Sequence, residues 1–177
     1  MKTYPFITQK YLTEIVPLAR AKEWLEMDIE GYEGKDGIIE NCIKSAIASV
    51  ETELNFQLGI STYTWHSPCL PYKFNDTCYV KEIVSIKHGE TVIDGSTYYL
   101  LRTSERSSVI IWYETPVKAP FYEIVFKAGL TEVEPDLLQA IRARIGEYYL
   151  GSRSDGVSEK RTLSDRLLTP FIIPYVG

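Results

Sequence analysis

Between Asp36 and Leu58, apolar residues recur at gaps of three and four, Ile39, Ile43, Ala46, Val50 and Leu54, with Ile47 beside Ala46 four after Ile43 and three before Val50. That spacing lays a single stripe along one side of a helix, with Glu40, Lys44, Ser45, Glu51 and Thr52 mostly off it. Asp36 is the candidate N-cap, since its carboxylate can accept from the free amides of the first turn. Gly59 follows as the candidate left-handed residue at the other end. Such a helix is roughly 33 Å long, so other elements must pack along it. A shorter amphipathic helix is expected before it, with Pro17 in its first position, Leu18, Ala21, Trp24 and Leu25 on its apolar side, and an end near Met27. The stretch from Asp28 to Lys35 reads as a polar connection, and residues 1–16 as a strand or arm.

After Gly59 the period changes. Thr62-Tyr63-Thr64-Trp65 is β-branched and aromatic, and the stretch from Ser67 to Pro71 breaks it. Cys78 to Lys87 alternates, His88-Gly89-Glu90 reads as a hairpin turn, and Thr91 to Ile93 as the returning strand. Asp94-Gly95 is a second turn. Tyr98 to Arg102, Val109 to Tyr113 and Phe121 to Lys127 are further strands, giving a small antiparallel module of five or six strands whose buried face needs a cover. Helical spacing returns at Pro135, with Leu138, Ile141, Ile145 and Tyr148 or Tyr149 on the apolar side, Arg142, Arg144 and Glu147 on the wet side, and Gly151 as the end. Ser152 to Lys160 reads as a polar loop, about Thr162 to Leu168 as a short helix, and the proline-bounded apolar end as an extended arm. The class is therefore α+β. A three- to four-helix bundle formed by residues 1–60 and 129–177 carries residues 61–128 as an inserted antiparallel β-module.

Composition narrows the function classes. Among 177 residues, 45% are hydrophobic and the net charge is -5, with no long basic run. Sequence-independent nucleic-acid binding displaces counterions with positive surface, and this balance does not favour it. No apolar run approaches the ~20 residues of a membrane span, and the N-terminus has no sustained apolar stretch of the kind a secretion signal carries. Cys42 falls near the helix stripe as a small core residue, and the odd count with Cys69 and Cys78 suits free thiols in a reducing compartment. The thirteen tyrosines fit either a protein-contact surface or a tyrosine-rich sheet.

No nucleophile elbow, zinc-protease helix, P-loop or dinucleotide fingerprint is present, and His66 and His88 have no partner at metal-ligand spacing. No catalytic residue, metal or cofactor is expected. Two features remain. One is the basic tone of the last third, from Arg142, Arg144 and Arg153 onward. The other is the apolar tail Phe171, Ile172, Ile173, Tyr175 and Val176, which must be buried in this chain or in a partner's groove or sheet. An alternative reading makes Tyr63, Trp65, Tyr98, Tyr99 and Trp112 a stacking surface for nucleic acid or another ligand.

From about Pro17 to the end, the chain resembles the head–tail connector, or head-completion adaptor, proteins of long-tailed bacteriophages. The residues carrying the resemblance are Leu18-Ala-Arg-Ala-Lys-Glu-Trp-Leu followed by Asp28, the helix Ile39 to Glu51, and the strand Thr62-Tyr-Thr-Trp. They continue with the hairpin-bearing Val84 to Tyr98, Phe126-Lys-Ala-Gly-Leu, and the helix Pro135 to Arg153. The Ser-Gly-charged loop and the apolar tail depart from the family pattern. The resemblance implies wedge-shaped subunits in a ring, usually twelve around, that often stay monomeric until they meet the portal. The ring sits under the portal in the virion neck, extends the DNA channel and receives the next neck, stopper or tail-completion protein. It is assembled in the host cytoplasm, binds no membrane and has no catalytic residues. It places a portal contact at Phe171, Ile172, Ile173 and Tyr175. DNA passing without specific binding calls for a neutral or acidic lumen, with Glu40 and Glu51 as candidates. Arg142, Arg144 and Arg153 would then face a neighbouring subunit or the portal.

Overall fold

A computed structural model describes residues 4–12, 14–25, 34–74, 79–104, 107–114, 120–151 and 162–172. The described residues form an α+β fold of four helices and two antiparallel sheets. Two compact units are present, Glu14–Asn55 with Glu132–Gly177, and Met1–Thr13 with Phe56–Thr131. The first residues thus divide with the sheets, not with the helices as their sequence position suggests, because strand β1 (Phe6–Gln9) pairs with β2 (Ser61–Ser67).

In the helical unit, α1 (Leu18–Trp24) is preceded by Pro17 as its N-cap, one position before the expected one. Helix α2 (Asp36–Leu54) buries Ile39, Cys42, Ile43, Ala46, Val50 and Leu54, which is the stripe that the three-and-four spacing lays down. Lys35, not Asp36, is its N-cap, and it ends at Asn55 instead of continuing to Leu58. Asn55 takes φ 57°, a left-handed conformation that asparagine tolerates better than most residues, so the helix closes four residues before Gly59. Helix α3 (Pro135–Gly151) packs on α2, and α4 (Leu163–Leu168) packs on α3. Thr162 caps α4 through a capping box with Asp165. Beyond α4 the chain does not extend directly: Thr169–Phe171 forms a 3-10 turn with proline in its first positions. Proline's fixed φ suits a first helical turn as well as an arm, so only Ile172 of the described tail is extended.

In the β-unit, one sheet runs β1-β2-β8-β4-β5 and the other β3-β7-β6. Here β3 is Lys73–Phe74, β4 Val80–His88, β5 Thr91–Val92, β6 Tyr98–Ser104, β7 Ser107–Trp112 and β8 Tyr122–Ala128. The hairpin expected at residues 88–90 joins β4 to β5, with Gly89 at φ 58° in the first loop position, where a two-residue loop calls for glycine. Tyr122, Ile124, Phe126 and Ala128 alternate inward along β8 and meet Ile86, Phe74 and Ile110, so both sheets share one core. Entry and exit of the module run side by side, with Ser61 opposite Ala128. Just beyond them, Leu130 N–H donates to the Gln57 carbonyl at 3.3 Å. Gly129 sits there at φ 130°, and a Cβ on it would lie 2.1 Å from the Gly59 carbonyl oxygen, so only glycine fits this crossing.

Candidate functional site

The helical unit is tied together at Arg144. This residue belongs to the spacing Leu137, Ala140, Ile141, Arg144, Ile145, so it lies on the buried side of α3 and is only 6% exposed. Its Nη1 donates to Ser49 Oγ and Glu53 Oε2 on α2, each at 2.9 Å. Its Nη2 donates to Asp165 Oδ1 on α4 at 2.6 Å, and its Nε to Ser164 Oγ at 3.1 Å. Ser164 in turn donates to Glu147 Oε2 at 2.8 Å. One planar guanidinium therefore fastens three helices, which the fork of Arg can do and the point charge of Lys cannot. The Asp165 carboxyl is held below its usual range, first by the Thr162 backbone N–H and then by the Thr162 hydroxyl and Arg144.

This geometry corrects two expectations. Arg144 is not on a wet face and has no side chain to spare for a neighbouring subunit or portal. Glu51, expected at a lumen surface, is 5% exposed, because it too falls on the inward side of its helix, four residues after Ile47 and three before Leu54. Burial of charge usually demands partners, and those of Arg144 come from residues 49, 53, 164 and 165. Ser49, Glu53, Ser164 and Asp165 are the residues sequence reading missed. Their only local signal was an arginine at a stripe position.

The other candidates remain at the surface or beyond the described residues. Arg142 is exposed, and Glu40 is exposed with Lys44 Nζ 3.9 Å away. Phe171 is half-buried and Ile172 exposed, while Ile173, Tyr175 and Arg153 lie outside the described residues. The aromatic set does not form a free stacking platform. Tyr63 stacks on Phe126 at 5.3 Å, Trp112 Nε1 donates to the Pro71 carbonyl at 2.8 Å, and Trp65, Tyr98 and Trp112 pack on the core; of the five, Tyr99 is exposed. Among the described residues, no group of three or more His, Cys, Asp or Glu is placed to hold a metal ion, and no helix is long and apolar enough to cross a membrane.

No family model and no curated protein sequence matches the chain. Its fold does match solved structures along nearly its whole length. A chain in the neck of an empty gene transfer agent particle, computed with C6 symmetry, superposes with a TM-score of 0.73 at 17% identity, covering 97% of this chain and 98% of that one. A chain in the virion of the native particle gives 0.70 at 17% identity, again over 97% and 98%. A chain in the native neck, computed with C12 symmetry, gives 0.68 at 16% identity over the same shares. The chain therefore has the fold of these particle components.

Proposed function

We propose that the chain is a structural head–tail connector of a tailed phage, a prophage or a phage-like particle. It forms a ring in the neck, under the portal, through which DNA passes. The observation that carries this reading is the fold match, which spans both chains almost end to end and includes chains of particle necks computed with C6 and C12 symmetry. The family resemblance in the sequence points the same way. In the ring, the exposed Glu40 is a lumen candidate, where negative charge keeps DNA sliding, and Arg142 is an interface candidate. The segment from Phe171 onward, with Ile173 and Tyr175, is the portal contact, and the opposite side of the ring receives a stopper or tail-completion protein. The aromatic nucleic-acid reading is weakened by the packing of four of its five side chains.

The test is to mix the purified chain with the portal protein encoded in the same genome and to image the product by negative stain. A ring seated on the portal, insensitive to nuclease and to moderate salt, is expected. Absence of any complex, together with DNA binding that falls steeply with salt, would replace the connector reading by the nucleic-acid one.

A further inference from the structure

Helix α4 is six residues long, too short to persist by itself in water. It is helical because it is docked, and its docking differs in kind from that of its neighbours. Helices α2 and α3 bury whole apolar stripes, from Ile39 to Leu54 and from Leu137 to Tyr149. Helix α4 buries Ser164 and Leu168, with Leu167 and Phe171 half-buried and Leu163 62% exposed. The rest of its hold is polar. Asp165 and Ser164 accept from Nη2 and Nε of Arg144, and Ser164 donates to Glu147 through both its hydroxyl and its backbone N–H.

Each half of that polar joint is complete without the other. On the α3 side, Arg144 Nη1 has Ser49 and Glu53 of α2, which do not depend on α4. On the α4 side, Asp165 Oδ2 accepts from the Thr162 N–H at 2.9 Å, and the Thr162 hydroxyl accepts from the Asp165 N–H, both within the segment itself. Breaking a buried ion pair is costly chiefly because it strands an uncompensated charge. Here neither charge is stranded. Arg144 retains a carboxylate, and Asp165, with its side chain already 34% exposed, passes into water with its cap.

We infer that α4 and the turn after it, residues 163–171, are a strap that lifts off α3 as one piece while α2 and α3 stay packed. With the strap down, the fork of Arg144 is shared by three helices. With the strap up, Ser49 and Glu53 alone hold it. The strap belongs to the free chain and does not depend on the connector reading. What it adds there is control: Phe171 lifts with the strap and Ile172 follows it, so the Arg144 joint sets how often they are free for a partner.

Amide hydrogen exchange of the full chain, resolved by NMR and repeated at low urea concentrations, tests this. The amides of Arg166, Leu167, Leu168 and Thr169 should share one protection factor to within about threefold, about tenfold or more below those of Val50 and Ile145. They should respond only weakly to urea, because a small opening exposes little surface. Ile39→Val removes a methyl group from the buried side of α2, about 15 Å along the helix from Ser49. It should speed exchange at Val50 and Ile145 about threefold to tenfold and leave the α4 amides unchanged. Glu53→Gln separates a strap from simple fraying. It weakens the unit as a whole, yet lifting the strap then strands the Arg144 charge, so exchange at the α4 amides should slow about threefold or more. Should Glu53→Gln fail to fold, the parent and Ile39→Val still decide between one opening unit and two. Graded protection along α4 that ignores Glu53→Gln would mean that the helix only frays. Protection equal to that of Val50, with the same urea dependence and the same response to Ile39→Val, would mean that the helical unit opens only as a whole. Either result, or faster α4 exchange in Glu53→Gln, overturns the strap and leaves the connector reading untouched.

Discussion

Replacing Arg144 by methionine keeps much of its volume and removes its charge and its donors. Four hydrogen bonds disappear, two to carboxylates and two to hydroxyls. Hydrogen bonds to charged groups contribute about 1.5–3 kcal/mol each, and removing one partner of a buried ion pair costs about 3–5 kcal/mol. The upper end does not apply here. The Glu53 and Asp165 side chains are 28% and 34% exposed, so water can take up part of what the guanidinium leaves. Ser49 and Ser164 lose only a donor to their hydroxyl oxygens, and the Ser164 O–H keeps its bond to Glu147. A loss of about 3 kcal/mol is expected, confined to the helical unit. Urea unfolding followed by circular dichroism at 222 nm measures it, with tryptophan fluorescence in a Trp24→Phe background, where only Trp65 and Trp112 emit, reporting the β-unit separately. Arg144→Lys should lie between, because one ammonium cannot reach three helices with the same geometry. A loss under about 1 kcal/mol for Arg144→Met would mean that α4 does not depend on this arginine, and the three-helix fastening would be wrong.

Asp165 supplies a pH signature. Its folded pKa lies below the ordinary 3.8, so its contribution is complete above that value and is lost as pH falls through the lower folded value. The stability gap between the parent and Asp165→Asn, measured by urea titration, should be constant from neutral pH to about 5 and close below 3.8. Gly129→Ala must place its Cβ against the Gly59 carbonyl at a φ that non-glycine residues avoid, and should cost the β-unit about 3 kcal/mol or prevent its folding. Gly146→Ala, inside α3 with nothing near its Cβ, should instead stabilise by about 0.5–1 kcal/mol in the same urea titrations. Burial raises the Cys42 thiol pKa while Cys69 is exposed, so iodoacetamide with peptide mapping should label Cys69 in the native protein and Cys42 only on unfolding.

The elements of this chain were legible locally. The stripe of α2, the alternation along β4 and β8, the Gly89 hairpin and the helix starting at Pro135 each arise within a dozen or so residues, where periodicity and turn chemistry act directly. Two short strands were less legible: residues 1–16 read as a strand or an arm and β3 as part of a break, because each strand has too few residues for a period and is completed by the neighbour that pairs with it. Charge was misplaced for a related reason. Arg144 and Glu51 looked wet because charged residues usually are, yet both sit beside the apolar stripe of their helix, three after Ile141 and three before Leu54, and the packing there turned them inward. By itself, the sequence determined the class of the fold, the order of its elements and the absence of familiar catalytic motifs. Only the tertiary structure decided which polar side chains became internal fasteners and which apolar ones were left at the surface. A buried guanidinium needs acceptors brought from positions 49, 53, 164 and 165, and an exposed row of Tyr99, Leu101 and Tyr113 exists only once one face of its sheet has been spent on the core.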